Sequence, residues 1–281
     1  MSPEAARELA VARPAESPTS GARPVPFRGG GFRPRPFAIA APLVFVALVV
    51  LWQLGCQYGV ISPIALPAPS QALAAFMDLV HTGMLWKHLG ASLERLAVGW
   101  TLGTALGIAV GLSIGLLSLV RAGLLPLVSA LFAIPKIALL PLFVIWFGTG
   151  EGSKIATILF GSFFPTVIAT YGGVDNVDRN LIRMGQSFGL AWLSIVRKII
   201  IPGALPAILS GFRISISISI VLLVAAEMIG AQYGIGAYIL ESGALFATDQ
   251  LIAGVAILAV LGLALGWLIS RAERHFLNWR T

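Results

Sequence analysis

Apolar residues in this chain come in six long blocks separated by short polar stretches. The blocks predict membrane-spanning segments at about 37–56, 96–117, 124–147, 155–171, 207–229 and 251–270. Each is close to the ~20 residues that an α-helix needs to cross ~30 Å of hydrocarbon. Backbone in lipid must bond to itself, which favours helices over open strands. The expected fold class is an all-α membrane protein with six transmembrane helices. The run Ile214–Ile220 reads ISISISI, a two-residue alternation that elsewhere marks a half-buried strand. A lone strand in lipid would leave its backbone unpaired, so this run too is expected to be helical.

Finer patterns sit on the blocks. Pro63, Pro67 and Pro69 break the chain after the first span, and Ser70 is placed to cap a short amphipathic helix over about 71–80. The second span carries Gly99, Gly103, Gly107, Gly111 and Gly115 at an unbroken spacing of four. A row of small residues lets two helix backbones touch in lipid. Each step of four advances ~400°, so the row drifts around its helix and predicts a crossed partner. Gly211, Ser215 and Ser219 form a second row at the same spacing in the fifth span.

The third span contains Pro126, Pro135 and Pro141, which predict a kinked or broken helix. On a continuous helix Lys136, twelve residues past Leu124, would lie ~18 Å along the axis, near mid-membrane. Lys136 and Glu227 are the ionisable residues placed inside spans away from the cytoplasmic ends. Charge in a membrane is costly and usually functional. Either the two side chains pair, or Lys136 helps an anion across, or both snorkel to water. The following loop, GTGEGSK over 148–154, lacks the order of a phosphate-binding loop.

Between the fourth and fifth spans lies a charged interruption over 174–206, VDNVDRNLIRMGQSFGLAWLSIVRKIIIPGALP. Val174, Val177, Leu181, Met184 and Phe188 recur in alternating steps of three and four, an apolar stripe of 3.5-residue period. Asp175 or Asp178 can cap this helix, and Gly189 suits a left-handed end. A second short helix over about 190–200 is expected to stop at Pro202–Gly203. The pair forms a helix-turn-helix knob at the membrane surface, for a protein partner or, alternatively, for anionic lipid.

Composition excludes a soluble globule, since 57% of residues are hydrophobic and 11% charged. The net charge of +7 reflects loops facing the cytoplasm rather than nucleic acid. With the N-terminus inside, fifteen of the nineteen basic residues fall inside, Lys87, Arg95 and Lys154 fall outside, and Lys136 is intramembrane. That distribution obeys the positive-inside rule and places both termini in the cytoplasm. Residues 1–36 hold seven prolines and six arginines and are expected to be a disordered tail ahead of a permease domain over 37–281. Cys56 is alone, and His81, His88 and His275 show no metal-ligand spacing.

The interruption resembles the cytoplasmic loop of binding-protein-dependent ABC importer permeases, E-A-A-x3-G-x9-I-x-L-P. Gly189 matches the glycine, Ile199 the isoleucine and Pro202 the proline, with Ile201 in place of the leucine. Arg183, Met184 and Gly185 stand at the E-A-A positions, reversing the acidic charge. Further likeness to the nitrate/sulfonate/taurine group lies in LPAPSQAL from Leu66, HLGASLERLAVGW from His88, IPKIALLPLFVIWFGTGE from Ile134 and AAEMIGAQYGIG from Ala225. The resemblance implies a non-catalytic permease that works as a homodimer, with ATP and magnesium bound by a separate ATPase subunit. It implies a solute-binding protein outside, and a bacterial inner membrane. Arg183, Gly185, Gly189, Trp192, Arg197, Ile199 and Pro202 would form the ATPase-coupling surface, and Lys136 and Glu227 are candidates for the translocation path.

Two other classes stand beside it. An ion-coupled secondary transporter would usually show more spans or a second homologous half, and a membrane enzyme would need a nucleophile with its base, or a metal cluster.

Overall fold

A computed structural model describes residues 39–277, so the 1–36 tail lies outside it. Every regular element among the described residues is helical, including the ISISISI run. In chain order they are α1 (Ala40–Gln57), α2 (Pro69–His81), α3 (Met84–Leu116), α4 (Ser118–Phe132) and α5 (Leu140–Phe147). There follow α6 (Glu151–Asp175), α7 (Arg179–Ser187), α8 (Trp192–Glu227), α9 (Ile235–Ala244) and α10 (Thr248–Phe276). The chain divides within α1, after Leu51, and the packing below concerns Trp52 onward.

By length and apolar content α3, α6, α8 and α10 can each cross a membrane. The expected third span is broken. Its two halves, Ser118–Phe132 and Lys136–Phe147, meet at 92°, because Pro135 cannot continue the first half and Pro141 restarts a helix at its first turn. Lys136 therefore sits in a short 3₁₀ turn at the break, not partway along a continuous helix.

The helices run in directions that the glycine row makes plain. Gly99, Gly103, Gly107, Gly111 and Gly115 lie in order against Ile158, Ser162, Thr166, Thr170 and Val174, so α3 and α6 run the same way. The chain between Leu116 and Glu151 must then return to its starting end, and the bent α4–α5 pair carries it there. Along α6 the order reverses for α8, since Gly173 meets Ala204, Gly211 meets Ala169 and Gly161 meets Leu222. The row does not drift off its partner as a lone row of four would. The facing residues of α6 also step by four, and two matched rows can wind around each other.

Lipid offers no hydrophobic drive between helices, so this close approach rests on dispersion contacts between backbones. The second row divides between partners. Gly211 packs on α6, whereas the Ser215 hydroxyl accepts a hydrogen bond of 2.9 Å from Trp100 Nε1 of α3. Ser219 is fully buried, with no hydrogen-bond partner for its hydroxyl among the described residues.

Two local expectations are corrected. Ser70 does not cap α2. The cap residue is Ala68, whose amide donates to Gln71 Oε1 at 2.9 Å, while Ser70 exchanges hydrogen bonds of 3.1 Å with Gln53 of α1. Nor does the second helix of the knob end at Pro202–Gly203. It is the start of α8, which continues from Trp192 past Pro202 through one wide turn over Val196–Ile200. There the Ile201 amide donates to Val196, five residues back, and the wider turn relieves the crowding that a proline imposes on the preceding turn.

Candidate functional site

The knob is built at the C-terminal end of α6. Its chain leaves α6 at Asp175, and Asp178 caps α7 by accepting from the Asn180 amide at 2.8 Å. Gly189 adopts φ +71°, a left-handed conformation that costs other residues ~1–2 kcal/mol. It turns the chain back so that α7 lies on the first turns of α8. Gly185 makes this contact possible, because a Cβ there would stand 3.0 Å from Ile199 Cδ1.

The 3.5-residue stripe does not form one face. Val174 and Val177 are buried with Ile195, Val196, Ile200, Ala204 and Ile208, whereas Leu181, Met184 and Phe188 are exposed. The helix breaks at Asn176 between α6 and α7, so the register is lost there. The result is an apolar outer surface: Phe188 is 78% exposed, Trp192 59% and Leu193 57%. Arg183, Arg197 and Lys198 are exposed beside it, while Pro202 is half-buried in α8. Arg121 braces the knob from α4, donating to Asp175 Oδ1 at 2.9 Å and to the Tyr171 hydroxyl at 2.5 Å.

The two intramembrane ionisable residues do not meet. Lys136 donates to the Phe132 carbonyl across the break, and its ammonium lies 4.3 Å from the Phe132 ring centre and 5.7 Å from that of Phe164. Glu227 does not snorkel; it is 1% exposed and pairs with Arg95 Nη1 at 2.8 Å.

Arg95 was expected in an outer loop. It lies instead within α3 and is 5% exposed. Its Nε and Nη2 donate to both oxygens of Glu151, at 2.5 and 2.8 Å, and Nη1 also donates to the Tyr233 carbonyl at 2.6 Å. Ser92 Oγ donates to Glu227 Oε1 at 2.7 Å and accepts from the Ile235 amide at 2.9 Å. His88 Nδ1 lies 2.9 Å from the Gly234 carbonyl, and its ring meets those of Tyr233 and Tyr238. Burial raises the Tyr238 hydroxyl above the usual tyrosine range. The signal was present in the sequence: His88, Ser92 and Arg95 are four and three apart and share one helix face. No group of three or more metal-ligating side chains gathers among the described residues.

Residues 103–278 match the family model described as "Binding-protein-dependent transport system inner membrane component". The chain belongs to this family. Over 238 residues, 85% of this chain and 86% of the relative, it is 35% identical to the aliphatic sulfonates transport permease protein SsuC of Bacillus subtilis (strain 168). It is 36% identical over 237 residues to the taurine transport system permease protein TauC of Escherichia coli (strain K12), covering 83% and 86%. Among solved structures, an inward-facing MetNI methionine ABC transporter matches with a TM-score of 0.59 at 21% identity, covering 69% of this chain and 96% of that one. The fold is that of an ABC importer permease, and the chain is a multi-pass membrane subunit of such an importer. Nothing in these relationships favours an ion-coupled secondary transporter.

Proposed function

We propose that two copies of this permease enclose the path of a small anionic solute, such as a sulfonate, taurine or nitrate. A solute-binding protein delivers it, and an ATPase pair that holds ATP and magnesium drives its import. The solute class rests on the names of the relatives at 35–36% identity. The observation that carries the partnership is the apolar knob around Gly189. A membrane-surface structure exposing Phe188, Trp192 and Leu193 together favours a protein groove over water. Arg183, Gly185, Gly189, Trp192, Arg197, Ile199 and Pro202 would shape or carry that contact, with Arg183 on its rim. The knob end then faces the cytoplasm, a reading that the basic-residue distribution supports.

Lys136 is the candidate for the path. Its ammonium sits where the third span breaks, held by a carbonyl and ring faces rather than a carboxylate, so its charge is available to a passing anion. Glu227 belongs to the Arg95 cluster and is not proposed to touch solute.

Purification of the complex from its native membrane tests the partnership: an ATPase subunit should accompany the permease. Uptake in vesicles supplied with ATP and the binding protein should be competed by sulfonates. A permease that takes up solute alone, driven by an ion gradient, would overturn the proposal.

A further inference from the structure

The helices that carry the knob, α6 and α8, have their far ends at Glu151 and Glu227. One side chain holds both. Arg95 of α3 takes Glu151 through Nε and Nη2, and Glu227 through Nη1. We propose that Arg95 is the positioning residue of this permease. It clasps the distal ends of both knob-bearing helices, so that a displacement of the knob moves the opposite mouth as one body.

The chemistry selects arginine. Its planar fork presents donors in fixed directions and can satisfy separate acceptors at once, whereas a lysine ammonium is a single point on a flexible stem. The second acceptor is itself committed. Glu227 Oε1 accepts from Ser92 as well as Arg95, and Oε2 accepts from the Gly236 amide at 2.9 Å. Together with the Tyr233 carbonyl on Arg95 and the Ile235 amide on Ser92, these bonds fix the segment after α8 to the same cluster. Gly234 must be glycine for this, since φ is +149° and a Cβ would stand 2.5 Å from Glu227 Cδ.

The cluster is also balanced. Lys154 is buried beside it, its ammonium on the Thr149 and Gly150 carbonyls at 2.8 and 2.9 Å. Two cations thus stand with two carboxylates. Removing one partner from a buried pair leaves an uncompensated charge, so the Glu227 arm is the costlier one to break. The two arms of the cluster differ in access: the Glu227 side chain is fully buried, while that of Glu151 is 59% exposed. The Glu227 arm anchors the following segment, and the Glu151 arm ties α6 to it.

The proposal rests on the importer role of the knob, and its test separates the two. Arg95→Lys keeps the charge but cannot span the acceptors. In the full complex, this variant should assemble with the ATPase at native yield, lose about tenfold or more in uptake, as misplacement remote from a site can cause, and lose stimulation of ATP hydrolysis by loaded binding protein. A spin label at exposed Gln232, in a Cys56→Ser background, should be immobile in the native chain and mobile in Arg95→Lys. Glu151→Gln should give an intermediate effect, and Lys87→Gln, on the exposed side of the same helix, none. Native uptake with an immobile label would overturn the proposal. So would lost uptake with an immobile label, which would assign Arg95 to the solute itself, or failure of Arg95→Lys to assemble, which would make it a general folding residue. Failure of the unaltered chain to bring down an ATPase would instead refute the importer role.

Discussion

Gly103 of α3 and Ser162 of α6 lie so close that a Cβ on the glycine would overlap the serine hydroxyl and stand 2.5 Å from the Leu159 carbonyl oxygen. The same closeness recurs one turn on either side, at Gly99 with Ile158 and Gly107 with Thr166. These helices meet backbone to backbone, and any side chain at the glycine positions must push them apart.

Gly103→Ala and Gly107→Ala should therefore each destabilise the permease by ~1–3 kcal/mol, the usual cost of overpacking. Gly90 on the same helix has open space around its Cβ position. Gly90→Ala should be neutral or stabilising by ~0.5–1 kcal/mol, the helix-propensity gain. Thermal unfolding of the detergent-solubilised variants separates the two outcomes; equal effects at Gly90 and Gly103 would contradict the packing argument.

At the knob, Gly189→Val should cost ~1–2 kcal/mol locally, because a β-branched residue cannot easily hold φ +71°. Gly189→Asn should be milder, since asparagine visits the left-handed region. The expected readout is loss of ATPase association and of coupled uptake in the valine variant, with substantial retention in the asparagine variant. Native coupling in Gly189→Val would show that the turn does not shape the contact.

Lys136→Gln should lower uptake of an anionic solute about tenfold, equivalent to ~1.4 kcal/mol of lost stabilisation. Lys136→Arg should retain most activity, because it keeps charge over the Phe132 ring. Uptake by Lys136→Gln at the native rate and selectivity would remove Lys136 from the path.

The two buried serines of α8 should respond in opposite directions. Ser215→Ala deprives Trp100 Nε1 of its acceptor and should destabilise by ~1–3 kcal/mol, the cost of leaving a buried donor unpaired. Ser219→Ala removes a buried hydroxyl that has no partner among the described residues, so it should be neutral or stabilising. Unfolding midpoints of the two variants check the contrast.

The apolar blocks, the glycine row and the left-handed turn at Gly189 were legible because they are periodic or local: each is written in residues within a few turns of one another. The loop pattern ending at Pro202 was legible too, but its helix end was not. Whether a proline stops a helix or is absorbed by a widened turn depends on what packs around it, here Val196 and Ile200 in the buried cluster.

The Arg95 cluster was hidden for a different reason. Arg95 and Glu227 are 132 residues apart, and each alone fits a position at the edge of a span. The spacing of His88, Ser92 and Arg95 puts them on one helix face, but nothing local says whether that face meets a loop, water or distant carboxylates. The sequence by itself determined that the long apolar blocks are helical, which helix faces are small enough to touch, and the left-handed turn at Gly189. Tertiary structure decided which helix fills the glycine row, how the third span breaks around Lys136, and which charges meet. Helical period is set within a single turn, but a buried ion pair exists only after distant helices have packed and excluded water.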